Sequence, residues 1–392
     1  MADASSSSPR PAAPPCGKST VALIRARPES ILEDVARACE LGGAAAALPA
    51  AAEVILKDNI TWHLPFLSAN TTPWQLEGVI RWLRGADRGM CAVHNDTVVT
   101  QPVAGLHNLK LQPVYDAYGV SQYFVNDPTS VRWEKWRPST PTPWLDKVYP
   151  EGTEFPAMFH GRSVFHLPTV KTHIYTTNTG AVKNSFGGLL NTKRHYCHTH
   201  IHGVLADLVA VQKELHAGMF AVADGTLAGD GPGPRTMRPV RKDLLIASAD
   251  PVAMDAVAAR LMGFEPERIG YLKECGERGL GAVAAEDIEL VGDDFEFGWG
   301  FSVGDNLASK VGDLLWFGAL QRLQNLFFRT PLVRVFVAGS HVYHDEWWWK
   351  RHGRKRMRKV AEETPWGALF EDYRPRGDSP PPGRMAGGTG GG

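Results

Sequence analysis

The sequence predicts an α/β fold, a Rossmann-like open and mostly parallel sheet with helices on both faces, followed by a mainly helical C-terminal extension rich in aromatic and basic residues. Three observations predict it. Short β-branched runs such as STVALIRA (19–26) and EVILKDN (53–59) alternate with amphipathic stretches such as ILEDVARACEL, as the strands and covering helices of a parallel sheet require. Start and stop signals separate them, with Ser30 and Glu33 at capping-box spacing and Gly42-Gly43 as a terminator. After residue 295 the alternation gives way to LLWFGALQRLQNLFFRTPLVRVFV and WWWKRHGRKRMRKV.

Composition bounds the answer further. A chain of 392 residues, 43% hydrophobic and 21% charged, has room for a sizeable core. Its 42 basic and 42 acidic residues cancel, which argues against wholesale nucleic-acid binding. The five cysteines (Cys16, Cys39, Cys91, Cys197, Cys275) are scattered and never form C-x-x-C. That spacing suits neither a disulfide framework nor an iron–sulfur or zinc module, and it fits a reducing, cytoplasmic location. Residues 1–17 lack the apolar core of a secretory signal and, like 376–392, read as a disordered tail. No apolar run is long enough to span a bilayer.

The elements follow in order. The run 53–59 is a strand that delivers Lys57, Asp58 and Asn59 at its C-terminal end, where open parallel sheets place ligand groups. Thr72, Pro73 and Gln75 start a helix over 73–84 that buries Trp74, Val79, Ile80 and Leu83. Residues 90–99 form a third strand, with His94, Asn95 and Asp96 in or just after it. Residues 101–160, rich in proline and tryptophan, read as an irregular insertion or lid. SVFHLPTV (163–170) returns to strand character, and helix resumes near Thr199. GMFAVADG (218–225) is a strand ending at Asp224, and GTLAGDGPGPR is a shaped loop. DLLIASAD (243–250) is a strand whose Asp250 caps a helix with Pro251 at its first position, and 287–292 closes the domain (18–295). Residues 296–375 are expected to form helices packed on it.

One stretch stands apart. Between His166 and His202 lie six of the fourteen histidines (His166, His173, His195, His198, His200, His202), three lysines and a dense set of Thr, Asn and Gly. Buried polar groups need partners, so a segment of this composition reads as a site. Lys171 and Lys183 are cations among short donors, suited to a phosphate or carboxylate or, if buried, to base or nucleophile chemistry. Thr176, Thr177, Thr179, Asn184, Gly187 and Gly188 would line the same loop, with Lys57, Asn59, Asp230 and Gly231 joining from other strand ends. His173 and Asp224 are the acid–base candidates. His195, His198 and His202 would share a face if a helix starts by Tyr196, and would then suit a divalent metal.

LPTVKTHIYTTNTGAVKNSFGG, the histidines after it, ADGTLAGDGPGPR and ASADPVAMDAVAARLMGFEP together resemble the family named domain of unknown function 362. The resemblance spans residues 19–293 and implies an α/β fold with Rossmann-like layering. Many members carry a ferredoxin-type cysteine module, which this sequence lacks. A second, shorter resemblance is to lactate-racemase-like proteins, where a histidine, a glycine-rich turn and a cofactor-bearing lysine follow one another. Here His173 precedes Lys183, but Gly187-Gly188 follows the lysine instead of preceding it.

These readings favour an uncharacterised enzyme acting on a small anionic metabolite. The competing expectations are a non-catalytic ligand- or cofactor-binding protein and an isomerase with a lysine-held cofactor. The Trp/basic segment 347–359 is either a solvated face or a contact with a membrane surface or protein partner.

Overall fold

A computed structural model describes residues 17–95, 99–305, 318 and 330–377. Asp96, most of both terminal tails and the bulk of 306–329, which bear several expectations above, lie outside them.

Among the described residues there are twelve strands: β1 Ser19–Arg25, β2 Val54–Asp58, β3 Met90–His94, β4 Ser121–Phe124, β5 Trp133–Lys135, β6 Glu154–Pro156, β7 Ser163–Leu167, β8 Thr169–His173, β9 Thr177–Asn178, β10 Met219–Asp230, β11 Arg238–Ser248 and β12 Ile288–Gly292. The main sheet runs β12-β1-β11-β10-β7-β2-β3-β4, with β8 on β10 and β9 on β8. Most pairings are parallel, and β11 runs antiparallel to both neighbours. The sheet is thus mixed, mostly parallel.

Strand alternation builds two cores. Ala22, Ile24, Val54, Leu56, Phe165, Val222 and Leu245 face one, while Val21, Leu23, Ile55, Val93, Ala221 and Ile246 face the other. This is the two-residue period of strands buried on both sides. Ile31–Leu41 and Pro73–Gly85 cover the first face; Gly180–Leu189, Ile201–Leu215 and Pro251–Met262 cover the second.

Several local expectations hold at the level of single bonds. Thr72 and Gln75 form a reciprocal capping box. Asp250 accepts from the Val252 and Ala253 amides at 2.9 and 3.1 Å. Ser30, by contrast, caps nothing: its hydroxyl lies 3.0 Å from Asp34 Oδ2, and that carboxylate also takes the Arg27 amide. The irregular insertion is shorter than expected. Pro102–Asn108 and Leu111–Ala117 are helices leading into β4, which pairs with β3. Their prolines sit in first helical turns, where a missing N–H costs nothing. The expected loop after Asp224 is strand as far as Asp230. Gly225 and Gly229 serve packing there, since a Cβ on Gly229 would fall 2.9 Å from the Lys171 Cβ.

Among the described residues the extension is one helical run, Val333–His341, a π-helical Val342–Gly353 and Arg354–Glu363, broken at Thr364 before Pro365–Asp372. Trp348 and Trp349 pack on Trp62 and Phe66, and Trp366 packs on Trp74. Buried Glu77 accepts from the Tyr118 and Tyr373 hydroxyls and the Arg376 amide, which ties residues 373–376 to the Pro73–Gly85 helix.

Candidate functional site

Strand β2 leads through its crossover to β3 on one side, whereas β7, its other neighbour, leads on to β8 and β10. The carboxyl ends of β2 and β7 therefore flank a topological switch point, the usual ligand crevice of open α/β sheets. Lys57 and His166 are register partners there, and β8 extends the same end with Lys171 and His173.

Lys57 is buried because the strand-end backbone and a neighbouring loop give its ammonium acceptors. It donates to the Asp58 carbonyl and to Asn95 Oδ1 (3.1 Å), and lies 3.9 Å from Asp58 Oδ1. Asp58 is already engaged by His94 Nδ1 at 2.8 Å and the Tyr115 hydroxyl at 3.1 Å. Burial raises the Asp58 carboxyl, but His94, Lys57 and Tyr115 outweigh it and hold the group below the usual range. Burial, with Arg194 adding repulsion against the pull of Asp58, lowers Lys57 to about 8.

Lys171 is fully buried and donates to the Ala69 carbonyl and to Thr61 Oγ1 at 3.0 Å. No carboxylate pairs with it among the described residues. Burial and the nearby charge of Lys183 hold it well below the ordinary lysine value. Thr61 in turn donates to Asn59 Oδ1, so the Asn59 amide sits beside this lysine with its buried Nδ2 unpartnered.

Lys183 projects half-buried from the first turns of the Gly180–Leu189 helix. Its ammonium lies 5.9 Å from the Phe186 ring centre and makes no hydrogen bond or ion pair among the described residues. Burial and Arg194 lower it to about 8. The helix is fixed from below: Asp255 accepts from the Ala181 and Val182 amides at 2.6 and 3.1 Å and from the Tyr271 hydroxyl at 3.1 Å. Burial, offset in part by those donors, raises Asp255 to about 7. At its other end Gly187 and Gly188 leave the helical conformation, and a Cβ on Gly188 would fall 2.9 Å from the Lys57 Cε at φ +152°. Gly188→Ala is therefore expected to cost about 1–3 kcal/mol and to displace Lys57. Chemical denaturation measures the first effect and anion titration the second.

Burial keeps the His166, His173 and His198 imidazoles neutral. His173 Nδ1 accepts from the Tyr175 amide at 3.1 Å, which leaves the proton on Nε2. Burial first, then Lys183, His198, Lys171 and His202, hold its pKa well below the ordinary value. His166 bonds Gln212 through Nε2 at 2.8 Å, and its Nδ1 faces Asn184 Nδ2 at 3.4 Å. Asn184 also donates to the Lys57 carbonyl. His198 is lowered to about 4 by burial, against which its bond to the His195 carbonyl works, with Lys183 adding repulsion.

The structure thus brings Lys57, Asn59, Lys171, His173, Lys183, Asn184, Gly187 and Gly188 to one end of the sheet. Other expected residues sit elsewhere in the bonding scheme. Thr176 bonds the Asn178 carbonyl, Thr177 takes a positive φ of 61° in a tight turn, and the Thr179 amide bonds the Lys171 carbonyl. Asp224 accepts from Thr72 Oγ1, Trp74 Nε1 and the Thr226 amide, and no bond joins it to Lys171, His173 or Lys183. Asp230 pairs with Arg238 at 2.7 Å, while the Gly231 carbonyl accepts from Thr172. His195, His198 and His202 do not converge, because Thr192–His200 is a 3-10 helix and not the start of an α-helix. His202 Nδ1 accepts from the Tyr271 amide, and among the described residues no three His, Cys, Asp or Glu side chains are grouped to hold a metal ion.

Arg194 and Thr61 join this cluster without having been singled out from sequence. Arg194 is buried within the 3-10 helix, where the surrounding histidines drew the reading toward metal chemistry.

The family model described as domain of unknown function (DUF362) matches residues 54–260. A thylakoid-associated protein of Synechocystis sp. is 29% identical over 126 residues, which cover 31% of this chain and 39% of that relative's length. No solved structure matches. The matched span runs from β2 into the Pro251–Met262 helix and includes every lysine and histidine of the cluster: the chain belongs to the domain of unknown function 362 family.

Proposed function

We propose that the chain is an enzyme that binds a small phosphate- or carboxylate-bearing molecule at this switch point. One observation carries the reading: burial first, then Lys183 acting on Lys171 and Arg194 acting on Lys57 and Lys183, lowers the proton affinity of all three lysines, and Asp58, already engaged, is the only carboxylate paired with any of these lysines among the described residues. Buried cations cost solvation energy unless an anion completes the site. In this reading Lys183 and Lys57 contact the anion, Asn59 Nδ2 adds a neutral donor, and Lys171 holds the Thr61–Ala69 loop around it. His173 Nε2–H is positioned to donate to the ligand and to exchange a proton with it. A cytoplasmic location is part of the proposal, supported by four described cysteines that are all free and buried.

The pH dependence has a defined sign. Lys57 and Lys183 titrate at about 8 without ligand, and an anion favours their protonated forms. Affinity for sulfate, whose own charge is constant in this range, is expected to be flat below about pH 7 and to fall as pH rises through 8. Calorimetric titration across that range tests it. Affinity that is flat through pH 9, or rises, would remove the lysines from the binding step.

A further inference from the structure

The outward face of the C-terminal helical run takes no part in the pocket. The run is anchored by its inner face, where Trp348 and Trp349 pack on Trp62 and Phe66, and Trp62 Nε1 donates to Asp345 at 2.6 Å. The outer face carries two kinds of residue. Toward its start Leu332, Val335, Val342 and Trp347 are exposed, Val335 by 66% and Val342 by 59%. Toward its end Arg351, Arg354, Lys355 and Arg358 are exposed and make no ion pair among the described residues. Lys350 and Lys359 do pair, with Glu346 and Glu363. Such local pairs satisfy solvated charge on a helix, whereas these four outward cations, spaced along one helix face, form no ion pair among the described residues, although the Arg354 charge is felt by Glu346. Exposed aliphatics at the other end of the same face make it amphipathic along its length, with a tryptophan where the two zones meet.

We propose that this face binds the surface of an anionic phospholipid membrane. Arg351, Arg354, Lys355 and Arg358 would meet lipid phosphates, while Leu332, Val335, Val342 and Trp347 would enter the headgroup boundary. Four or more basic residues on an amphipathic helix are the composition such surfaces attract, and tryptophan is favoured at that depth. The contact is peripheral, since no described helix is long and apolar enough to cross a membrane.

The test is co-sedimentation of the full chain with vesicles of phosphatidylcholine alone and of phosphatidylcholine mixed equally with phosphatidylglycerol. Binding to the mixed vesicles only, weakened by salt, is the expected result. The fourfold variant R351E/R354E/K355E/R358E is expected to bind at least about a hundredfold more weakly, and V335D/V342D to lose binding that salt does not remove. Both should keep the wild-type melting temperature and sulfate affinity. Should the fourfold variant not fold, the corresponding glutamine variant replaces it with a smaller loss. Absence of sedimentation, equal binding to both vesicles, or wild-type binding by the charge variants would overturn the proposal. Competition by free glycerol phosphate would reassign the cations to a soluble phosphate ligand and overturn it equally. Because sulfate affinity is read separately, failure here is distinct from failure of the anion pocket.

Discussion

Lys183→Met is expected to raise the melting temperature by a few degrees and to lower anion affinity by at least about thirtyfold. The two effects share one cause. The folded protein holds the Lys183 proton less tightly than the unfolded chain, about 8 against 10.5. Below pH 8 both states are protonated and the folded state bears the full penalty, on the order of 1–3 kcal/mol; the penalty fades as pH rises toward 10.5. Methionine keeps the length and apolar character of the stem and removes the charge. A bound anion would have offset that penalty, so its affinity falls when the charge goes, by about 2 kcal/mol or more for a half-buried charged contact. Stability gained with function lost marks a residue held in place for binding. Calorimetric melting and sulfate titration of one preparation read both quantities. A lower melting temperature with unchanged sulfate binding would make Lys183 a structural cation.

Asp224→Ala is expected to behave in the opposite way, losing about 3–5 kcal/mol of stability. The carboxylate takes Thr72 Oγ1, Trp74 Nε1 (2.9 Å) and the Thr226 amide (2.7 Å), all buried. Alanine strands three donors at once. It also releases the Thr72 cap of the Pro73–Gly85 helix and the Trp74 ring beneath Trp366. Urea denaturation measures the loss. A variant as stable as wild type but without activity would return Asp224 to the acid–base role that its sequence position suggested.

The pair shows where sequence was sufficient. Asp224, Lys57 and Lys183 are all polar residues at or near strand ends, and sequence cannot say which have their bonding capacity filled. That depends on partners far along the chain, Thr72 and Trp74 for Asp224 and Asn95 for Lys57. Local chemistry was legible wherever its partners were near: the Thr72–Gln75 box and the Asp250 cap each close within three residues. The glycines misled for the same reason. Gly225 and Gly229 resemble turn residues, yet they let β8 and β11 approach β10, a contact the chain makes only after folding. The histidine-rich stretch lies beside the buried lysines at the β2/β7 end of the sheet. Its 3-10 geometry, which separates the histidines and buries Arg194, follows from packing and not from the spacing of its residues.

The central claim is that a buried cationic cluster at the β2/β7 switch point awaits an anion. Its most direct test is the melting temperature of wild type and Lys183→Met in sulfate, inorganic phosphate, pyrophosphate and citrate, each against chloride at matched ionic strength. Specific binding to the folded state raises the melting temperature with ligand concentration. At least one of these anions should do so for the wild type and leave the variant unmoved. Identical curves for wild type in all five salts, or an equal rise in the variant, would contradict the account.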